Sequence, residues 1–110
     1  HIKKTDSYGE DGNFDAKVGV IEAVDQALPI LLEKNPAVLV VTGDHSTPAT
    51  MKMHSWHPVP TLLASEWCRF DGSKEFGETA CGKGGWGHFK AVDILPTAMA
   101  HARRLNKYGA

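Results

Sequence analysis

Residues 37–48 read Ala-Val-Leu-Val-Val-Thr-Gly-Asp-His-Ser-Thr-Pro. The first five are a continuous apolar run rich in β-branched side chains, closed by Thr42-Gly43. That profile suits a strand buried on both faces of a parallel sheet. Two side chains able to ligate a metal, Asp44 and His45, follow directly at the strand's end.

Upstream of this strand the period changes. Phe14, Val18, Ile21, Val24, Leu28, Leu31 and Leu32 fall at steps of three and four, which places one apolar stripe on a helix. Asn13 suits the N-cap and Asp15 the positive first turn. Pro29 is expected to kink or shorten the last turn, and Asn35-Pro36 to close it. Before the helix, residues 1–5 read as a short strand, and residues 6–12 as a loop rich in carboxylates and glycine. Strand, helix and strand make a βαβ unit. In a parallel unit the loops leaving both strands emerge on the same sheet edge, so Asp6 and Asp44 are expected to face a shared crevice.

Downstream, a loop bearing Pro, Met and His leads to a short strand at residues 61–64. Residues 68–89 are irregular and glycine-rich. A last helix is expected over residues 91–106, with Val92, Leu95, Met99, Ala102 and Leu105 inward, Arg103, Arg104 and Lys107 at its C-terminal turn, and His101 on the surface.

The composition narrows the function classes. With 12 Lys and Arg against 13 Asp and Glu, the chain offers no basic face to nucleic acid or to an anionic membrane. No stretch approaches the ~18 apolar residues of a membrane span. Cys68 and Cys81 form no CxxC pair, so both are expected to be free thiols in a reducing cytosol. At 110 residues the chain is one domain at most, and opening on His1 it is expected to be part of a longer protein.

Metal-competent side chains gather in two segments: Asp6, Glu10 and Asp11 in the first, then Asp44, His45, His54 and His57 in the second. Mixed carboxylate and imidazole sets suit Zn, Mn or Fe, which act as Lewis acids on phosphoryl oxygens. His54 and His57 are read either as ligands or as solvated loop imidazoles, and Asp11 as a brace for the loop. Residues 82–87 match GxGxxG but lack the βαβ context and the later acidic residue of a dinucleotide site. They are expected to bend the chain toward the active crevice, with Lys83 or His88 able to reach an anionic substrate. Neither cysteine has a base beside it in sequence.

On HIKKTDSYGEDGNFDAK (residues 1–17), VVTGDHSTP (residues 40–48), HSWHPVP (residues 54–60) and the terminal KYGA, the chain resembles the C-terminal part of archaeal-type cofactor-independent phosphoglycerate mutases of the alkaline phosphatase superfamily. The resemblance implies an α/β fold, part of a three-layer sandwich with a mainly parallel sheet flanked by helices. It implies that residues 1–110 are the C-terminal part of the metal-binding domain. The N-terminal part with its nucleophilic serine, and an inserted substrate domain, would then lie outside this sequence.

It also implies two divalent ions (Mn, Zn or Mg), phosphoglycerate as substrate and a cytoplasmic glycolytic enzyme that interconverts 3- and 2-phosphoglycerate through a phosphoserine. Asp44 and His45 would ligate one ion; Asp6, Glu10 and His54 the other. The family pattern in the first segment is Asp-x-x-x-His, and Glu10 replaces that histidine with a harder oxygen ligand. His57 is a second departure, a substitute ligand or a bystander. On this resemblance the chain alone should not turn over substrate, and its open sheet edges invite self-association. Two other functions stay open: a related metal-dependent phosphatase or phosphonate-pathway enzyme, and a metal-binding or structural module without catalysis.

Overall fold

A computed structural model describes residues 1–105. They fall into two compact units, one from His1–Asn35 and Asp44–Val59, the other from Pro36–Gly43 and from Pro60 onward.

In the first unit, helix α1 spans Lys4–Glu10. The strand expected at residues 1–5 is therefore absent, and with it the βαβ unit. Lysines at positions 3 and 4 have little strand preference, whereas the Lys3 ammonium pairs with the Asp6 carboxylate one turn ahead. Gly12, at φ +70°, ends α1: its N–H donates to the Gly9 carbonyl and the Asn13 N–H to the Tyr8 carbonyl, a Schellman stop that needs a left-handed residue.

Asn13 then starts α2, Phe14–Leu32, its side chain accepting from the Ala16 N–H at 3.1 Å. Pro29 lies inside α2, which runs on for three residues to Leu32. Placed in the last turn, the proline removes only one N–H donor. Asn35, at φ 47°, leads into Pro36. Helices α1 and α2 pack together. In the loop 44–59, the Ser55 N–H donates to the Ser46 carbonyl at 2.8 Å in an isolated antiparallel bridge.

In the second unit, β1 (Val38–Thr42) pairs antiparallel with β2 (Thr61–Ser65), Val38 opposite Ser65 and Thr42 opposite Thr61. The parallel pairing expected of β1 is not found among the described residues. The apolar run was read correctly as a strand, but its partner follows it by a returning loop rather than preceding it by a crossover. Its side chains are half-buried, not covered on both faces.

Helix α3 is a single turn, Glu78–Cys81, and both cysteines are free thiols. Residues 82–87 follow this turn rather than a strand, in keeping with a bend instead of a dinucleotide loop. The last helix is shorter than expected: a 3-10 turn at Ala91–Asp93 opens into α4, Ile94–His101, which packs on β1. Pro96 falls in the first turn of α4, where no intrahelical donor is lost. Val92 and Leu95, expected inward, are 74% and 67% exposed. His101, expected on the surface, is half-buried with Nδ1 2.9 Å from Ser65 Oγ. Asn106, Lys107 and the terminal KYGA lie outside the described residues.

Among the described residues no apolar side chain is fully buried, and Thr47 is the one buried polar residue, 4% exposed. The α2 stripe shows the same pattern, with Phe14 64% and Ile21 52% exposed.

Candidate metal centre

The candidate ligands all belong to the first unit. Asp6 lies in the first turn of α1, Glu10 one turn later on the same face. His45 and His54 come from the loop, on either side of the Ser46–Ser55 bridge. Asp6 Oδ1 is 3.3 Å from His54 Nε2 and 4.0 Å from His45 Nε2. Asp44 Oδ2 adds a contact at 3.7 Å to His45 Nε2, and Glu10 Oε1 one at 3.6 Å to His54 Nε2. The five residues form one continuous chain of donors: Asp44, His45, Asp6, His54, Glu10.

Asp6, His45 and His54 each offer a ligand atom within 4.8 Å of the others. A transition ion with bonds of about 2.0–2.2 Å holds neighbouring ligand atoms roughly 3–4 Å apart, a range that Asp6 Oδ1 meets with either Nε2. The set also fits chemically, because two imidazoles with carboxylates suit Zn, Mn or Fe.

Asp6 and Asp44 both approach the His45 imidazole, but the parallel sheet edge on which they were expected to share a crevice is not what brings them there. Helix α1 and the bridged loop do so instead. The donors predicted to serve two ions separately are contiguous, with Asp6 Oδ1 facing both histidines.

The electrostatics favour an ionised Asp6. Its pKa is lowered to about 2, first by the Lys3 ammonium hydrogen-bonded to it and then by the Thr47 hydroxyl, which donates to Oδ1 at 2.8 Å. The same pairing raises the Lys3 ammonium above its ordinary value. An ionised carboxylate accepts only, which is what an ion or a hydroxyl donor requires.

His57 is engaged elsewhere. Its Nδ1 lies 2.9 Å from Ser55 Oγ and its ring stacks on Trp56, with centroids 5.1 Å apart. Asp11 is the C-cap residue of α1, where its backbone N–H donates to the Ser7 carbonyl. Lys83 and His88 belong to the second unit, both exposed, on either side of Trp86. There Asp71 Oδ2 accepts from the Gly85 N–H at 2.9 Å and Oδ1 from the Ser73 N–H at 3.0 Å.

Sequence reasoning missed Lys3, Thr47, Lys17 and Gly9. Thr47 stands in the Asp-His-Ser-Thr-Pro run, but nothing in the spacing says that its hydroxyl meets Asp6, 41 residues away.

A carboxylate–imidazole cluster built on one helix and a bridged loop suits a metal ion, and residues 1–100 match the Metalloenzyme superfamily, to which the chain belongs. Among known proteins it is 63% identical over its whole length to a protein of Thermosipho africanus named "probable 2,3-bisphosphoglycerate-independent phosphoglycerate mutase". It is 51% identical over its whole length to one of the same name from Thermus thermophilus. The chain spans 27% of the length of each of these relatives. The solved structure of the PH0037 protein from Pyrococcus horikoshii superposes with a TM-score of 0.89 at 38% identity, covering 96% of this chain and 33% of that one. The resemblance drawn from residues 40–48 and 54–60 is thus met by whole-chain similarity to proteins named as mutases.

Proposed function

We propose that this chain is the C-terminal part of the metal-binding domain of a cofactor-independent phosphoglycerate mutase, and that it supplies most of the protein's ligands to divalent ions. The observation that carries this reading is the cluster of Asp6, His45 and His54 within 4.8 Å, in a chain similar throughout to proteins named as mutases. Divalent ions bound there supply Lewis acidity to phosphoryl oxygens. Asp44 and His45 would hold one ion, and Asp6, Glu10 and His54 a second. Asp6 Oδ1, facing both imidazoles, is placed to contact either.

What the chain's own residues contribute is placement. Asp6 and Glu10 ride on one face of α1, and the Lys3 ammonium lowers the pKa of Asp6. The Ser46–Ser55 bridge holds His45 and His54 side by side. The serine that accepts the phosphoryl group would come from outside this sequence, so that transfer between the two hydroxyls of glycerate needs the whole protein. Mn suits the oxygen added by Glu10 better than it suits an all-histidine site.

The finer architecture follows the same reading. Exposed Phe14, Ile30, Leu31, Val92 and Leu95 would be covered by the rest of the polypeptide, and the antiparallel β1–β2 pair would join a larger, mainly parallel sheet in a three-layer sandwich. No helix among the described residues is long and apolar enough to cross a membrane; a cytoplasmic location belongs to this proposal.

The test is an assay of the full-length protein, metal-free and then loaded with Mn or Zn, on 3-phosphoglycerate. Metal-dependent formation of 2-phosphoglycerate supports the reading. Release of inorganic phosphate without isomerisation would make it a phosphatase of the same family, and neither turnover nor bound metal would leave a structural module.

A further inference from the structure

We propose that Thr47 is the positioning residue of the metal centre: its single hydroxyl selects the tautomer of His45 and locks that imidazole to Asp6, so that His45 offers Nε2 to the ion. This role rests on the metal site proposed above. It follows from counting protons on a buried hydroxyl.

Thr47 Oγ1 has two polar neighbours. Asp6 Oδ1 lies at 2.8 Å and His45 Nδ1 at 3.1 Å. An ionised carboxylate can only accept, so the one hydroxyl proton goes to Asp6. Nothing is then left for Thr47 to donate to the imidazole, and the contact with His45 requires Nδ1 to carry the proton and Oγ1 to accept it. A neutral imidazole protonated at Nδ1 has its lone pair at Nε2. That nitrogen is the one facing Asp6 and Asp44, at 4.0 and 3.7 Å. The hydroxyl therefore sets the orientation of two ligands at once, as hydrogen-bond partners of metal-bound histidines commonly do.

Thr47 is shut off from water and its backbone carbonyl is held by two neighbours. Thr47 is 4% exposed, so water does not compete for its proton. Lys17 Nζ donates to the Thr47 carbonyl at 2.6 Å from within α2. Gly9 of α1 approaches so closely that a Cβ there would overlap the same carbonyl oxygen. A valine in place of Thr47 keeps the shape and loses both hydrogen bonds, whereas serine keeps both.

The experiment uses the full-length protein in its zinc and metal-free forms. Long-range proton–nitrogen NMR correlations, at a pH where the ring is neutral, should show His45 protonated at Nδ1 in the metal-free wild type. Zinc affinity should fall roughly 10–100-fold in T47V and be retained in T47S. Protonation of His45 at Nε2 in the wild type, or unchanged zinc affinity in a folded T47V, would overturn the proposal. If T47V does not fold, the wild-type tautomer and the affinity of T47S still decide it. Wild-type protein that binds no zinc would defeat the metal site itself, while the tautomer measurement would continue to judge Thr47.

Discussion

The imidazole rings of His45 and His54 lie 4.0 Å apart between centroids, tilted by 34°, with Asp6 Oδ1 reaching both. Both imidazoles belong to the metal centre proposed above, and ions that bind the folded protein and not the unfolded chain stabilise the fold. Metal removal should therefore destabilise the full-length protein. At an ion concentration of 100 times Kd, binding adds about 2.7 kcal/mol. Thermal melting with and without a chelator measures this difference, and H54A should shrink most of it. Identical melting curves for chelated and metal-loaded wild type would count against the site.

Gly9 should not tolerate a side chain. The overlap of a new Cβ falls on the backbone carbonyl of Thr47 and not on a flexible tip, so the loop itself must move. G9A is expected to cost about 1–3 kcal/mol, the range of overpacking a tight site. Denaturant unfolding of the full-length variant measures that loss, and zinc titration should show weakened binding alongside it.

Asn13 closes α1 and opens α2 in one residue, its N–H donating to Tyr8 and its side chain accepting from Ala16. N13A removes the second bond and keeps the first, at an expected cost of about 0.5–2 kcal/mol. N13D should retain most of the stability. A midpoint shift in urea at constant slope would confirm a local loss; no shift would mean the cap contributes nothing.

Asp71 ties two turns of the second unit together, and its pKa is lowered to about 2 by the backbone N–H groups of Gly85 and Ser73. Because the folded value lies below the model-peptide 3.8, this tie adds stability that is fully present above pH 3.8 and lost as pH falls through about 2. Carboxyl NMR shifts should titrate accordingly, and amide exchange at Gly85 should quicken as Asp71 protonates. An ordinary titration midpoint would show that the two turns are not joined in solution.

Much of the local structure was legible in the sequence. The stripe from Phe14 to Leu32 and the cap at Asn13 gave α2 almost to the residue, since the period and the first turn's free N–H groups are local properties. Residues 37–41 and 61–64 read as strands for the same reason. Residues 1–5 did not read correctly, because strand and helix are close in energy for so short a polar segment, and the Lys3–Asp6 pair with the Gly12 stop tips the balance. Val92 and Leu95 were placed inward on periodicity alone, which tells that one face is apolar and not whether anything within these residues covers it.

The sequence by itself determined the chemistry of the site: carboxylates at positions 6, 10 and 44, imidazoles at 45 and 54, and motifs shared with a metalloenzyme family. Residue type and spacing suffice there, because ligand chemistry belongs to the side chain. Only the tertiary structure decided how those donors meet. It set β1 antiparallel to β2, turned the 44–59 loop back through Ser46 and Ser55, and brought Thr47 onto Asp6 from 41 residues away. Contacts of that range depend on which loops close and which backbones can approach, and no local pattern in the chain encodes them.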